Sequence, residues 1–431
     1  MPVPIMLLAA AFVAFVAILC VLASDRFFLG VSVGCLVLLP LGFMGLPLWY
    51  SRYMTPGVVL VAIMCIRAGF IFALHGADCE ERYARSRGFS AVSNLALASA
   101  TVLALSAAFA DNSLSWTWFL TLCCVVFLPV LMGRYLDSGL QDHVIRILLI
   151  ATVVVGILAL LEYYFGFNPY SRLYDARVVD QNWSVARVRT SMGHPLPTMV
   201  IGSTGCVIGF VTYIRRGGVL PAVGCAMGAL TVGLTASRTG VYAVATGIGL
   251  VVIVSLGRLL LSTGRFDAAV SSTGAKTRLW GICLAAPLIL AALVFSPILR
   301  ARSSSREGQI SSEYRSQIVS NALAIFADHP VLGVGPGYAQ TVYFDIYGNI
   351  LENSALQLLV GSGLIGAIMF GLFVSSFVVW CLGDERLVFG ASACTFWVAM
   401  SGYNALDSNT AILLLFGFLV VGAVSSDGEV G

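Results

Sequence analysis

Apolar residues arrive along this chain in blocks of about twenty, separated by short polar breaks. That is the length a helix needs to cross a hydrocarbon core of roughly 30 Å. The blocks show no apolar–polar alternation and are about twice as long as a barrel strand. Each must therefore satisfy its own backbone hydrogen bonds, as a helix does in lipid. The pattern predicts thirteen spans, at 4–23, 28–49, 56–74, 91–110, 115–133, 145–165, 196–214, 219–236, 239–257, 279–298, 354–381, 387–403 and 408–424. A different division of the 28–74 region gives twelve. The first block has neither a charged start nor a small-residue cleavage signature, and reads as a retained helix. The expectation is an all-α fold, a polytopic transmembrane helical bundle of about 12–13 spans forming one integral membrane domain over residues 1–431.

Two polar stretches interrupt the pattern, at 166–195 and 299–353, the second between spans 10 and 11. Four spans separate them, so parity puts both on one face of the membrane, together with the turn at Ala236, Ser237 and Arg238. Loops on the opposite face carry Arg82, Arg85 and Arg87, then Arg215 and Arg216, then Arg258, Arg265, Lys276 and Arg278, then Arg386. By the positive-inside rule that face is cytoplasmic and the two long loops are external. Within the larger loop, 311–327 has the apolar period of an amphipathic helix, with Ile318, Ala322 and Phe326 on one face. Ser311 or Ser312 is placed to cap it, and Pro330 to stop it.

Composition agrees with a membrane protein: 59% of residues are hydrophobic and 10% charged, against about 25% charged in soluble domains. The net charge of +3 and the lack of any basic run give no case for nucleic acid. Lys276 is the only lysine, so 23 of the 24 basic residues are arginine. The bias fits either a GC-rich genome or a need for the side chain that grips phosphate with two parallel hydrogen bonds. Nearly all of the eleven cysteines lie inside apolar runs, as packing residues and not as staples or ligands. His75, His143, His194 and His329 are scattered without ligand spacing, so no metal site is expected. Arginine is nevertheless abundant in the loops read as external, where Arg172, Arg177, Arg187, Arg189, Arg300, Arg302, Arg306 and Arg315 lie. A large anionic ligand would explain that excess.

Four local patterns can carry chemistry: RVRTSMGHP at 187–195, ASRTG at 236–240, DHPVLGVGPG at 328–337 and ENSALQLLVGSGLIG at 352–366. Arg238 interrupts an apolar stretch, and a charge placed centrally in a span costs about 2.5–3.5 kcal/mol. Either it snorkels to headgroups, or it shares a cavity with Arg187 or Arg189 and holds phosphate through charge-assisted bonds. Glu352 is either a helix-start acid favoured by the macrodipole or a general base facing the same cavity. Gly333, Gly335 and Gly337 follow no strand, so they read as a tight turn and not as a nucleotide loop.

These patterns, in this order, resemble the O-antigen ligase and polysaccharide polymerase family of bacterial envelope enzymes. The resemblance covers roughly 145–424. It implies a GT-C-like bundle in the cytoplasmic (inner) membrane, acting on its outer face without a metal or other cofactor. The family transfers a glycan from an undecaprenyl-diphosphate-linked donor to a hydroxyl. On that resemblance Arg187 or Arg189 and Arg238 match the diphosphate-binding arginines, and Arg315 matches the loop arginine. Glu352 stands where ligases usually carry histidine, which favours a polymerase, or a ligase-type transferase to another lipid or protein acceptor, over ligation to lipid A. His194 is either a second candidate base or a structural residue of its Gly-His-Pro turn, and Ser237 and Asn353 are supporting residues. Membrane lipids and a chain-length regulator are the further partners it suggests. The chemistry suits these groups: diphosphate leaves readily once its charge is held, and the acceptor hydroxyl needs a base. Direct attack at the anomeric carbon inverts it. The rival readings are a transporter or flippase of lipid-linked glycans, which would commonly show repeated halves, and a glycan polymerase of the shape, elongation, division and sporulation type. No repeat is evident.

Overall fold

The computed structural model describes residues 23–39, 55–79, 87–136, 139–172, 185–261, 287–383 and 386–425. The described residues are helical, with no strands. In chain order the helices are α1 (Asp25–Leu38), α2 (Pro56–Cys79), α3 (Arg87–Ala110), α4 (Ser113–Met132), α5 (Leu140–Phe165), α6 (Pro195–Arg216), α7 (Val219–Leu234) and α8 (Arg238–Leu261). There follow α9 (Pro287–Val294), α10 (Pro297–Ser304), α11 (Arg306–Asp328), α12 (Ala339–Tyr347), α13 (Ser354–Trp380), α14 (Leu387–Met400), α15 (Ala405–Ser408) and α16 (Leu413–Val424). Six of them are long and apolar enough to cross a membrane, and α9 with α10 form a further pair bent by 42°. Four shorter apolar helices accompany them. The polytopic helical bundle read from the sequence is what the chain forms. The expected span at 4–23 and the arginines at 82, 85, 177, 265 and 278, with Lys276, lie outside the described residues.

Side-chain contacts sort the helix ends into two sets. At one end, Asp142 of α5 pairs with Arg216 of α6, Arg258 of α8 donates to the Leu382 carbonyl beyond α13, and Arg386 lies 4.4 Å over the Trp380 ring. At the other end, Val188 N–H donates to Leu234 O (3.3 Å), Ser354 Oγ to Tyr403 O (2.6 Å) and Trp118 Nε1 to Leu406 O (2.6 Å). Both long loops and the turn before Arg238 are therefore at one end, as parity requires. The core is packed through close backbone approach: a Cβ at Gly209 would strike Cys225 N, and one at Gly228 would strike Cys206 N. Such small-residue contacts are how helices associate where lipid removes the hydrophobic drive.

The larger loop departs from expectation in two ways. It holds three helices, α10 to α12, and the amphipathic one starts earlier than the apolar period suggested. Ser305, not Ser311 or Ser312, caps α11, accepting from Gly308 N–H at 3.1 Å. Its end at Asp328, two residues before Pro330, is as expected.

One break organises the loop against the bundle. The apolar run 354–381 reads as one helix, yet Gly363 takes φ 65° and divides α13. A broken helix inside a bundle needs substitute partners for its backbone groups. The glycine-rich segment 330–337 supplies them: Val334 N–H donates to Val360 O (3.0 Å), Gly335 N–H to Gly361 O (2.8 Å), and Pro330 O accepts from Leu364 N–H (2.8 Å). Ser106 of α3 adds a bond to Leu332 O at 2.6 Å. Glycine is required at the contact, because a Cβ on Gly363 would collide with the Val331 carbonyl. The glycine turn is thus a plug that reaches about 13 Å along α13 from its start, at 1.5 Å per residue. Gly363→Ala should lower the thermal midpoint of the solubilised protein by several degrees, from the left-handed conformation and the clash together. Gly371→Ala, with open space at its Cβ, should leave it within about a degree, since surface changes cost under about 0.5 kcal/mol.

Candidate functional site

Three sequence-distant segments meet at the loop end. Residues 187–189 run beside the α7–α8 turn, where Arg187 Nε donates to Thr235 O at 2.9 Å. Glu162, in the last turn of α5, accepts the backbone N–H of Arg189 (3.0 Å) and of Thr190 (2.7 Å) through Oε2. Asn168 Nδ2 donates to Thr190 O at 3.0 Å, and Thr198 Oγ1 donates to Arg189 O at 2.8 Å. Across the turn, Ser237 Oγ accepts from Gly240 N–H (3.4 Å) at the start of α8, whose first residue is Arg238.

Backbone strain concentrates here. Among the described residues only Asp111, Thr190 and Ala236 are non-glycine residues at positive φ. Thr190 (φ 51°) follows Arg189, and Ala236 (φ 52°) precedes Arg238 by two residues. Each costs on the order of 1 kcal/mol and persists only where its surroundings fix it.

His194 caps α6, its Nδ1 accepting Leu196 N–H at 3.3 Å. Burial, then the charges of Arg187 and Arg189, lower its pKa to about 3. A ring whose Nδ1 accepts keeps its proton on Nε2. It is therefore a neutral helix cap near neutral pH, a geometry unlike that of a base. The influence of both arginines on this ring places Arg187, Arg189 and His194 in one neighbourhood.

Helix α11 connects this group to the carboxylate. Its inner face carries Gly308, Arg315, Ile318, Ala322 and Ile325, spaced at the three- and four-residue intervals of one helical face. The last three are buried with α12 and α13. Arg238 Nη2 reaches Gly308 O at 3.5 Å, the long limit of a hydrogen bond. Arg315 lies two turns further on, about 10 Å along the axis. Its Nε is fully buried and has no hydrogen-bond partner among the described residues. Such an orphaned donor costs about 1–3 kcal/mol and calls for an explanation.

Tyr314, beside it, donates to Ile350 O at 2.7 Å. Its pKa is pushed up to about 12 by burial first, then by Tyr343 and Glu352. Glu352 is thus an electrostatic neighbour of α11, half-buried and one residue before the cap of α13. That cap is Asn353, whose Oδ1 accepts Ala355 N–H (2.9 Å) and Leu356 N–H (3.0 Å). Of the residues singled out from the sequence, Arg187, Arg189, His194, Ser237 and Arg238 gather around two strained turns. Arg315, Glu352 and Asn353 gather at α11 and the start of α13, and α11 spans both groups.

Sequence reasoning missed Glu162 and a second carboxylate, Asp407. Glu162 carried a signal: an acid in a helix's last turn opposes the macrodipole, so it needs another reason to be there. Asp407, 3% exposed, accepts Gln340 N–H at 2.8 Å, and Gln340 Oε1 accepts Leu351 N–H at 3.0 Å beside Glu352. Nothing in the local sequence announced that link. Among the described residues no three His, Cys, Asp or Glu side chains gather as metal ligands would.

A family model described as O-antigen ligase matches residues 223–371, and no curated protein matches the chain. The matched stretch contains Arg238, Arg315 and Glu352, while Arg187, Arg189 and His194 precede it. It is narrower than the 145–424 over which the motifs suggested resemblance. The depressed His194 pKa makes a checkable stability claim. An unfolded histidine, near 6.5, binds a proton that the folded ring refuses down to about 3. This contribution to stability is therefore complete above pH 6.5 and is lost as pH falls toward 3. Thermal denaturation between pH 4 and 7 should show a rise in midpoint with pH that His194→Asn, which retains a capping side chain, reduces.

Proposed function

We propose that this chain, whose residues 223–371 belong to the O-antigen ligase family, transfers a glycan from an undecaprenyl-diphosphate carrier to a hydroxyl acceptor at the outer face of the cytoplasmic membrane. The family indicates glycan transfer of the O-antigen ligase type by a multi-pass membrane protein. The carrier, the polymerase reaction, the orientation and the residue roles are our reading. Arg215, Arg216, Arg258 and Arg386 at the opposite end of the bundle support a cytoplasmic assignment for that end, with the long loops outside.

The observation that carries the proposal is Arg315. A guanidinium with a buried Nε and no acceptor, on the helix face that Arg238 also touches, is what an anion-binding site looks like without its anion. Two phosphates bridged between Arg238 and Arg315 would supply the acceptor and neutralise both cations. Arg187 and Arg189 extend the positive field across the strained turn.

In the reaction, the acceptor hydroxyl attacks the anomeric carbon. An O–C bond forms, the bond from that carbon to the diphosphate oxygen breaks, and the configuration inverts. The negative charge that develops on the departing undecaprenyl diphosphate falls on groups that stay cationic at any working pH. Glu352 takes the hydroxyl proton. A carboxylate in that place, where the resembled ligases carry histidine, favours polymerisation over ligation to lipid A. His194 has its Nδ1 engaged at the helix start, so its assigned role is to hold the arginine turn.

Glycan transfer from a lipid-diphosphate donor, measured in membranes matched for inserted protein, tests these roles. Arg238→Ala and Arg315→Ala should each lose about 10²-fold or more in rate, and Glu352→Gln about 10²–10⁴-fold. Arg315→Lys should fall between, because an ammonium keeps the charge without the planar fork. Full activity in Arg238→Ala and Glu352→Gln variants that insert normally would end the proposal.

A further inference from the structure

We infer that Glu162 is a positioning residue for the diphosphate site: its carboxylate clamps the backbone of the strained turn that presents Arg187 and Arg189. The inference rests on the function proposed above and names a residue that lies outside the stretch matched to the family.

The geometry is specific. One oxygen, Glu162 Oε2, accepts two successive backbone donors, Arg189 N–H at 3.0 Å and Thr190 N–H at 2.7 Å. Thr190 sits at φ 51° and is 1% exposed. A threonine is held there only if neighbouring bonds outweigh the conformational cost, and those neighbours are identifiable. Glu162 fixes the two N–H groups, Asn168 fixes Thr190 O, and Thr198 fixes Arg189 O. The turn leaves the chain running back past Leu234, so that Arg187 meets Thr235 O. Without the carboxylate the two amides lose their acceptor, the turn relaxes toward negative φ, and Arg187 loses its place at the Thr235 carbonyl beside the α7–α8 turn.

A carboxylate beside the cations of a diphosphate site is otherwise a liability, because it repels the ligand. Its use as a backbone acceptor explains its place: one oxygen takes both N–H groups and fixes the turn, while the carboxylate also lies beside the Arg189 charge. Geometry, not charge, is what the residue provides. Glutamine keeps an acceptor oxygen at the same reach and should do the work as well.

The test uses the full chain in lipid nanodiscs. Undecaprenyl diphosphate is the binding probe, and steady-state transfer from a lipid-diphosphate glycan is the activity. Glu162→Ala should raise KM and the Kd for undecaprenyl diphosphate about tenfold, with kcat within about twofold. Glu162→Gln should bind as well as the unaltered protein or more tightly, since it keeps the acceptor and removes a repelling charge. Thr190→Gly, placed on Glu162→Ala, should recover part of the lost affinity, because glycine takes positive φ without strain. Unchanged binding in Glu162→Ala, a loss confined to kcat, or a Glu162→Gln protein as weak as Glu162→Ala would overturn the inference. If Glu162→Ala does not accumulate, Glu162→Asp, one methylene short, must show the same KM effect. An Arg238→Ala protein with full activity would instead overturn the functional reading beneath it, and unaltered protein that binds no lipid diphosphate would overturn both.

Discussion

A guanidinium held half-buried at the end of an apolar bundle must find an acceptor, and the loop end of this protein is built around that constraint. Arg187 and Arg238 reach backbone carbonyls there, those of Thr235 and Gly308. Glu162 gives Oε2 to the backbone amides of Arg189 and Thr190 beside the Arg189 charge, and Arg315 meets no acceptor at Nε. The buried Nε of Arg315 is thus a donor held without its acceptor, and in the proposed function a diphosphate supplies one on binding. The two residues held at positive φ beside the arginines, Thr190 and Ala236, belong to the same arrangement. Each re-aims a cation that a relaxed backbone would send elsewhere.

The second element is mechanical. The glycine turn at 330–337 fills the break at Gly363, so the loop helices are joined to the bundle by backbone hydrogen bonds and not only by chain connectivity. Because α11 precedes this plug and Glu352 follows it, the plug fixes the distance between Arg315 and the carboxylate. A loop that merely lay on the membrane could not hold the proposed base and anion site in register to the fraction of an ångström that the proposed transfer needs.

Much of this was legible in the chain. Blocks of apolar residues announced helices because lipid permits little else, and parity put the long loops together. The period of Ile318 and Ala322 marked α11, though not its first turn and a half, where Gly308 and two serines at 311 and 312 dilute the pattern. The break in α13 was hidden, since Gly361, Ser362 and Gly363 sit within an unbroken apolar run and read as packing residues. The arginines and Glu352 stood out as charges near spans, where they are expensive. Glu162 offered only an acid at a helix C-terminus and Asp407 nothing, because their partners are backbone N–H groups more than twenty residues away. His194 stood out as a base or as a structural residue of its Gly193–His194–Pro195 turn, and it caps the helix there.

The central claim is that one diphosphate is shared by arginines from separate segments on either side of α11. A structure of the protein in lipid nanodiscs with undecaprenyl diphosphate bound tests it most directly. The account predicts phosphate oxygens within about 3 Å of the guanidinium groups of both Arg238 and Arg315, with Glu352 facing the side away from the lipid tail. Phosphates lodged elsewhere in the bundle, with Arg315 still without an acceptor, would contradict it.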